Sequence, residues 1–233
     1  MARAVAASRT CANLKEVYPR ERFVNAQAEA EAKDHLVAGG TRLPLAHVPL
    51  AVKACFDVAG WVTDAASTAF AGNESAQADG PLVRFFRLQG ATIVGHSNMT
   101  EFAFGALGVN STTGTPRTPL DPAGERVAGG STSGGAVAVA IGLADVALGT
   151  DTSGSVRIPA AFCGVVGFRP SRGVFSSGGC IRLTELANRV DVPSISLRDR
   201  GQGREPIGLM LTGRRGMDRR LLEIAAHVEA ALV

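Results

Sequence analysis

Two clusters of glycine and hydroxyl residues, "GGSTSGG" at 129–135 and "GTDTSGSVR" at 149–157, bracket a run of small apolar side chains, "AVAVAIGLADVAL". No other stretch constrains the fold as much. Small residues from Gly134 to Ile141 suit a closely packed helix, and "DVALGT" reads as a short strand that delivers Asp151 to Ser155 at its C-terminal end. Helix, strand and helix in succession indicate an α/β architecture.

The flanking sequence supplies the remaining layers. A helix is expected over 21–38, closed by the Gly39-Gly40 pair. "HVPLAVKACFDVAG" reads as a loop feeding a strand over Leu50 to Val52, so that Lys53 emerges at the strand end. Asp79 is expected to cap a helix that buries Leu82, Val83, Phe85, Phe86 and Leu88 and stops at Gly90, with the strand "ATIVG" directly after it. Between Gly105 and Gly130 the chain has little periodicity and much glycine, threonine and proline, the mark of a long ordered loop of the kind that lines sites. "SISL" and "IGLMLTG" read as two strands joined through "GQGREP". Asp218 then caps a last helix with an apolar stripe at Leu221, Leu222, Ile224, Ala225, Val228 and Leu232.

Composition excludes several functions. With 233 residues and 45% hydrophobic content the chain is expected to form a single domain over 1–233. The net charge is only +3, and the late arginines lack the interleaved aromatics that single-stranded nucleic acid needs, so no nucleic-acid partner is expected. Cys11, Cys55, Cys163 and Cys180 are scattered without a CxxC pair, which argues against a metal site or a disulfide framework and for a reducing compartment. No run reaches the roughly 18 apolar residues of a membrane span. The expectation is a cytoplasmic protein with no membrane partner.

A glycine-rich loop before a helix first suggests phosphate binding. "GGSTSGG" is followed by Ala136 rather than by lysine and a hydroxyl, however, and no GxGxxG is present. Nucleophilic serine chemistry is the other use of such hydroxyls, and it needs a base. His35 and His227 fall on expected surface helices and His47 and His96 on expected loops, so none is in a recognisable catalytic setting. Lysine serves when burial makes its charged form costly, and Lys53, in "PLAVKACF", has apolar neighbours where Lys15 and Lys33 do not.

In order along the chain, "PLAVKACFDVAG", "GHSNMTEFAFG", "GGSTSGG" and "GTDTSGSVRIPAAFCGVVGFRPSRG" together resemble the amidase signature family of serine hydrolases, over a core from about Val48 to Gly173. The resemblance implies the amidase-signature fold, a mixed β-sheet core flanked by helices, and a Ser-cisSer-Lys triad. Ser155 would be the acylated nucleophile, Ser131 the bridging serine after a cis peptide, and Lys53 the base. The backbone of Thr152, Ser153 and Gly154 up to Ser155 would form the oxyanion hole. Ser155 lies 24 residues after Ser131, room for one helix and one returning strand. Many members read GTDTGGS, so the backbone at Ser153 must here suit a residue with a Cβ.

The resemblance also implies a small-molecule amide substrate, no cofactor and no metal. After "RPSRGVFSSGG" the family continues through a long segment, whereas this chain passes straight into "CIRLTELANRVDVP". The expectation is therefore a shortened form joined near Gly179 and Cys180, with a C-terminal hairpin and helix over about 180–233. Lost strands would open an apolar face and favour a homodimer. Three functions stay open: an active amidase, a weak or inactive remnant acting as an interaction module, and an esterase or amidotransferase-like subunit.

Overall fold

In chain order the elements are α1 (Ala2–Thr10), α2 (Leu14–Val17), β1 (Arg20–Glu21), α3 (Phe23–Ala38), β2 (Pro49–Lys53), α4 (Pro81–Leu88) and β3 (Thr92–Ser97). They continue as α5 (Ser133–Ala140), β4 (Val146–Leu148), α6 (Arg157–Cys163), β5 (Gly167–Arg169), β6 (Ser194–Arg198), β7 (Gly208–Thr212) and α7 (Asp218–Ala231). The structure, a computed structural model, describes residues 1–171, 173–176, 178–181, 194–198, 208–212 and 216–231. The expected connection "GQGREP" and Leu232 lie outside them.

The first sheet has the order β1-β3-β2-β4, with β2 parallel to β3 and β4, and β1 antiparallel at the edge. All five residues of β2 are buried, as expected of a central parallel strand covered on both faces. Alternate residues serve opposite layers. Ala51 and Val94 pack with α1, α3 and α5, whereas Leu50, Val52 and Ile93 pack with Val83 of α4 and with Phe56 and Val58. Each large apolar side chain so buried contributes ~1.5–3 kcal/mol. Helix α5 reaches the sheet closely because its first turn carries glycine: a Cβ on Gly134 would lie 2.5 Å from the Asn98 nitrogen and from the Val17 carbonyl oxygen.

The second sheet, β5-β6-β7, is antiparallel. Ile195 and Leu197 of β6 pack there against Leu221 and Ala225 of α7. Helix α6 touches both α5 and the second sheet and so joins the two halves. The mixed sheet flanked by helices is thus present.

Several local expectations change. Pro81 stands at the start of α4, with Gly80 in the cap position, and Asp79 instead accepts from Ala59 N at 2.9 Å and pairs with Arg87. Only Val83 of the expected apolar set on α4 is buried, while Phe85 and Leu88 are exposed. Likewise Leu222 and Ile224 of α7 face outward, and Asp218 accepts from Ser171 N at 2.6 Å, tying α7 to the chain beyond β5.

His96 is not on a loop. It lies inside β3, 1% exposed, with Nε2 3.1 Å from the Phe56 carbonyl and its ring edge-on to Trp61. Burial first, and the Arg20 charge second, push its pKa down to about 3, so it is a neutral core residue.

The long loop over 105–130 is ordered by its own side chains. Asn110 donates to the Ala66 and Met99 carbonyls and accepts from the amides of Thr112 and Thr113. Asp121 accepts from the amides of Ala123, Glu125 and Arg126.

Candidate active site

Three parallel strands end side by side, and in α/β sheets that edge is where ligands bind. Strand β2 ends at Lys53, β3 at Ser97 followed by Asn98, and β4 leads through Gly149 into Thr150 and Asp151. Lys53 has the parity of Ala51 and turns to the α5 side, where Ser131 precedes that helix.

The lysine is fully buried and its Nζ donates to Ser131 Oγ and to Thr150 Oγ1, each at 2.7 Å. Among the described residues no carboxylate lies within ion-pair reach of it. Desolvation holds its pKa below the ordinary lysine range, opposed by charges at Cys55, Cys180 and Asp151. Ser131 is also fully buried, and the Gly130–Ser131 peptide is cis. Its surroundings are backbone: Gly130 N donates to the Ala106 carbonyl at 2.6 Å and Thr100 N to the Ser131 carbonyl at 3.1 Å.

Ser155 arrives from the other cluster. Thr132 N donates to its carbonyl at 3.0 Å, which joins the two glycine-rich segments directly beside Ser131. Ser155 itself is half-buried, and among the described residues its hydroxyl makes no hydrogen bond.

Asp151 shapes the intervening turn. Its carboxylate accepts from Gly154 N at 2.8 Å, Val156 N at 3.2 Å and Arg157 N at 3.3 Å, and takes Nε and Nη2 of Arg157 at 2.8 Å each. The left-handed φ of the turn falls on Gly154, at +129°, and not on Ser153, which is why a side chain is tolerated at 153. Gly154 N is engaged by Asp151, while the amides of Thr152, Ser153 and Ser155 have no acceptor among the described residues.

Lys53 and Ser131 are therefore hydrogen-bonded, and Ser155 is brought alongside through the backbone. Sequence reasoning missed Thr150, Asp151 and Asn98. Asn98 donates to the carbonyls of Glu16, Thr113 and Gly114 and accepts from Met99 N and the Thr113 hydroxyl, so one amide pins the end of β3 to α2 and to the long loop. An acid inside a hydroxyl cluster, four residues before Ser155, was the available signal for Asp151.

Comparison with known proteins gives the family. The sequence profile of the Amidase family matches residues 9–193. Amidase 1 of Oryza sativa subsp. japonica is 44% identical over 150 residues, covering 64% of this chain and 34% of that protein. A glutamyl-tRNA(Gln) amidotransferase component from Symbiobacterium thermophilum is 47% identical over 154 residues, covering 66% of this chain and 31% of that protein. A solved structure from a vestigial protein complex that reveals the origins of an s-triazine catabolic enzyme superimposes with a TM-score of 0.74 at 36% identity, over 82% of this chain and 41% of that one. The chain belongs to the Amidase family. It spans about a third of the length of these two curated relatives.

Proposed function

We propose that the chain hydrolyses the C–N bond of a small carboxylic amide through an acyl-enzyme on Ser155. One observation supports this most: a fully buried lysine whose partners are the hydroxyls of Ser131 and Thr150, with no carboxylate among the described residues to hold its charge. Such an amine loses its proton readily and becomes a base. The Ser155 hydroxyl closes on Ser131 Oγ when substrate is bound and attacks the amide carbon. Its proton passes to Ser131, and the Ser131 proton passes to neutral Lys53. The carbonyl oxygen gathers negative charge, taken by the amides of Thr152, Ser153 and Ser155, with Gly154 setting the turn. The protons return by the same path to the leaving nitrogen, the C–N bond breaks, and water cleaves the ester to give a carboxylate and free Ser155.

Fluorophosphonate labelling tests this reading, together with ammonia release from small primary amides. The wild-type chain is expected to be labelled on Ser155, and Ser155→Ala to lose both label and turnover with its melting transition unchanged. Turnover that survives in purified Ser155→Ala overturns the assignment.

A second reading, a weak remnant that serves as an interaction module, draws on the apolar side chains left open near the site. Phe104 is 80% exposed, Leu107 62% and Val109 51%. Exposed apolar side chains of this kind would suit association with a second copy. The same labelling separates the two, since a remnant stays unlabelled.

A further inference from the structure

We propose that Cys55 and Cys180 are a redox pair, closing into a reversible disulfide in the wall behind Lys53. The two cysteines are 125 residues apart in sequence, yet their sulfurs lie 3.7 Å apart, with Cys180 donating to Cys55. The backbone fixes them there. Phe56 and Cys180 form an antiparallel bridge, flanked by Ile181 N donating to the Cys55 carbonyl and Asp57 N to the Gly179 carbonyl, both at 2.9 Å. A disulfide needs the sulfurs at about 2.05 Å. Closure therefore asks for less than two ångströms of side-chain movement, across two segments already held side by side.

The two thiols differ as a reactive pair should. Burial opposes a charge on Cys55, but the Cys180 hydrogen bond, and the positive charge of Lys53 while it is protonated, outweigh it and lower its pKa. Cys180, hydrogen-bonded to Cys55 and partly buried beside it, is pushed up. Cys55 is thus the thiolate of the pair, and Cys180, only half-buried, is the sulfur that reagents reach.

With a hydroperoxide as oxidant the step balances as follows. The Cys180 proton passes along the hydrogen bond to Cys55, the Cys180 thiolate so formed attacks the outer peroxide oxygen, the O–O bond breaks, and the departing alkoxide takes that proton back from Cys55, leaving a sulfenic acid on Cys180 and a thiolate on Cys55. The Cys55 thiolate then attacks the Cys180 sulfur and expels hydroxide. The two sulfurs lose two electrons and the peroxide gains them, and a dithiol reverses the reaction by exchange at Cys180. Transient disulfides of this kind are compatible with a reducing compartment.

The pair borders the base. Cys55 follows Lys53 by two residues, and the Thr150 hydroxyl that accepts from Lys53 Nζ at 2.7 Å also bonds the Cys55 sulfur. The groups facing Lys53 that can carry a negative charge are Cys55, Cys180 and Asp151. Closing the disulfide removes the Cys55 thiolate charge, and keeps Cys180 from ever gaining one, and leaves Asp151. Resting on the lysine-base reading above, this predicts that the oxidised chain reaches full amidase activity at a lower pH than the reduced chain.

The native full chain is treated with hydrogen peroxide, alkylated, digested with trypsin without reduction and mapped by mass spectrometry. A crosslinked pair is expected between the peptide carrying Cys55 and the one carrying Cys180, lighter by about 2 Da than the two thiol peptides together. It should vanish on reduction and in Cys180→Ser, with Cys11 and Cys163 alkylated throughout. If Cys55 and Cys180 stay alkylatable, or Cys180 accumulates as sulfinic acid, the proposal is overturned. The pH profile of turnover is then compared between the two forms, with an acid limb about one unit lower on oxidation expected. A disulfide that leaves the limb in place overturns the link to Lys53. If neither form turns over any amide, the function reading fails while the peptide map still decides the crosslink.

Discussion

Asp151 and Lys53 stand on neighbouring strand ends, with the Asp151 side chain 3% exposed and Lys53 not exposed at all. Burial acts on both against charge, yet the partners send them opposite ways. Around Asp151 desolvation is the largest effect, but the bidentate Arg157 pair and the amides of Val156 and Gly154 outweigh it, and the carboxyl is held below its usual range. Among the described residues Lys53 hydrogen-bonds only to hydroxyls, and desolvation outweighs the nearby negative groups, so its pKa falls. One group is held toward its charged form at a turn, the other is pushed toward its neutral form, as the base proposed above requires. Within one site, the choice of partner decides whether a buried ionisable group serves architecture or chemistry.

Removing the lysine should break the comparison most cleanly. Lys53→Met keeps the length of the side chain and drops the amine. Turnover is expected to fall by ~10⁴-fold or more, while the melting temperature stays level or rises, because no amine is left to desolvate. Steady-state kinetics with a thermal melt on the same preparation checks both halves. An unfolded or clearly destabilised variant would mean that Lys53 is structural.

Asp151→Ala should do the reverse, with stability failing first. It breaks the pair to Arg157 and removes the acceptor of three amides, a cost of ~3–5 kcal/mol. For a domain of this size that lowers the melting temperature by on the order of 10 °C. The slack turn no longer presents its amides to the oxyanion, so turnover should also drop by ~10²–10³-fold. A variant that melts like the wild type would show that the turn is held by something other than this carboxylate.

How much of this is legible in the sequence depends on whether a residue's role is local. The α5–β4–α6 succession and the strand ending at Lys53 follow from short-range pattern, and the structure has them. His96 reads as a loop residue because Gly95, in "IVGHSN", looks like a strand stop. The glycine is there for another reason: a Cβ on it would lie 2.6 Å from the Tyr18 ring, which packs on β3 from far up the chain. Asp79 has the residue type of a helix cap, but the Ala59 amide and Arg87 take its oxygens. The Cys55–Cys180 contact spans a separation that no local pattern reports. Ordered motifs single out Lys53, Ser131 and Ser155, whereas a threonine before an aspartate, as at Thr150, carries no signal until β4 is seen to end beside β2.

Thr150 gives the smallest expected effect and the sharpest test of how Lys53 is tuned. Its Oγ1 accepts from Nζ at 2.7 Å, and an ammonium donates such a bond more strongly than an amine, so the contact favours the charged form. Thr150→Val removes it. The same hydroxyl bonds the Cys55 thiolate, and losing that support favours the neutral thiol, which takes a negative charge away from Lys53. Both losses lower the lysine pKa further, and Asp151, the remaining charge facing it, is unchanged. Lys53 works as a base only when neutral, so activity rises with pH through its pKa, and in the variant that rise comes earlier. If the bond is worth ~1.5 kcal/mol the acid limb of kcat/KM moves down by about one unit. The plateau should fall less than about tenfold, since base and nucleophile both remain. A limb that moves upward, or stays put, would show that Thr150 positions the lysine without tuning it. Thr150→Ser, which keeps the hydroxyl, should hold the limb at its wild-type position. A serine variant that behaves like the valine would show that the shift does not follow the hydroxyl and would remove this hydrogen bond from the account of the base.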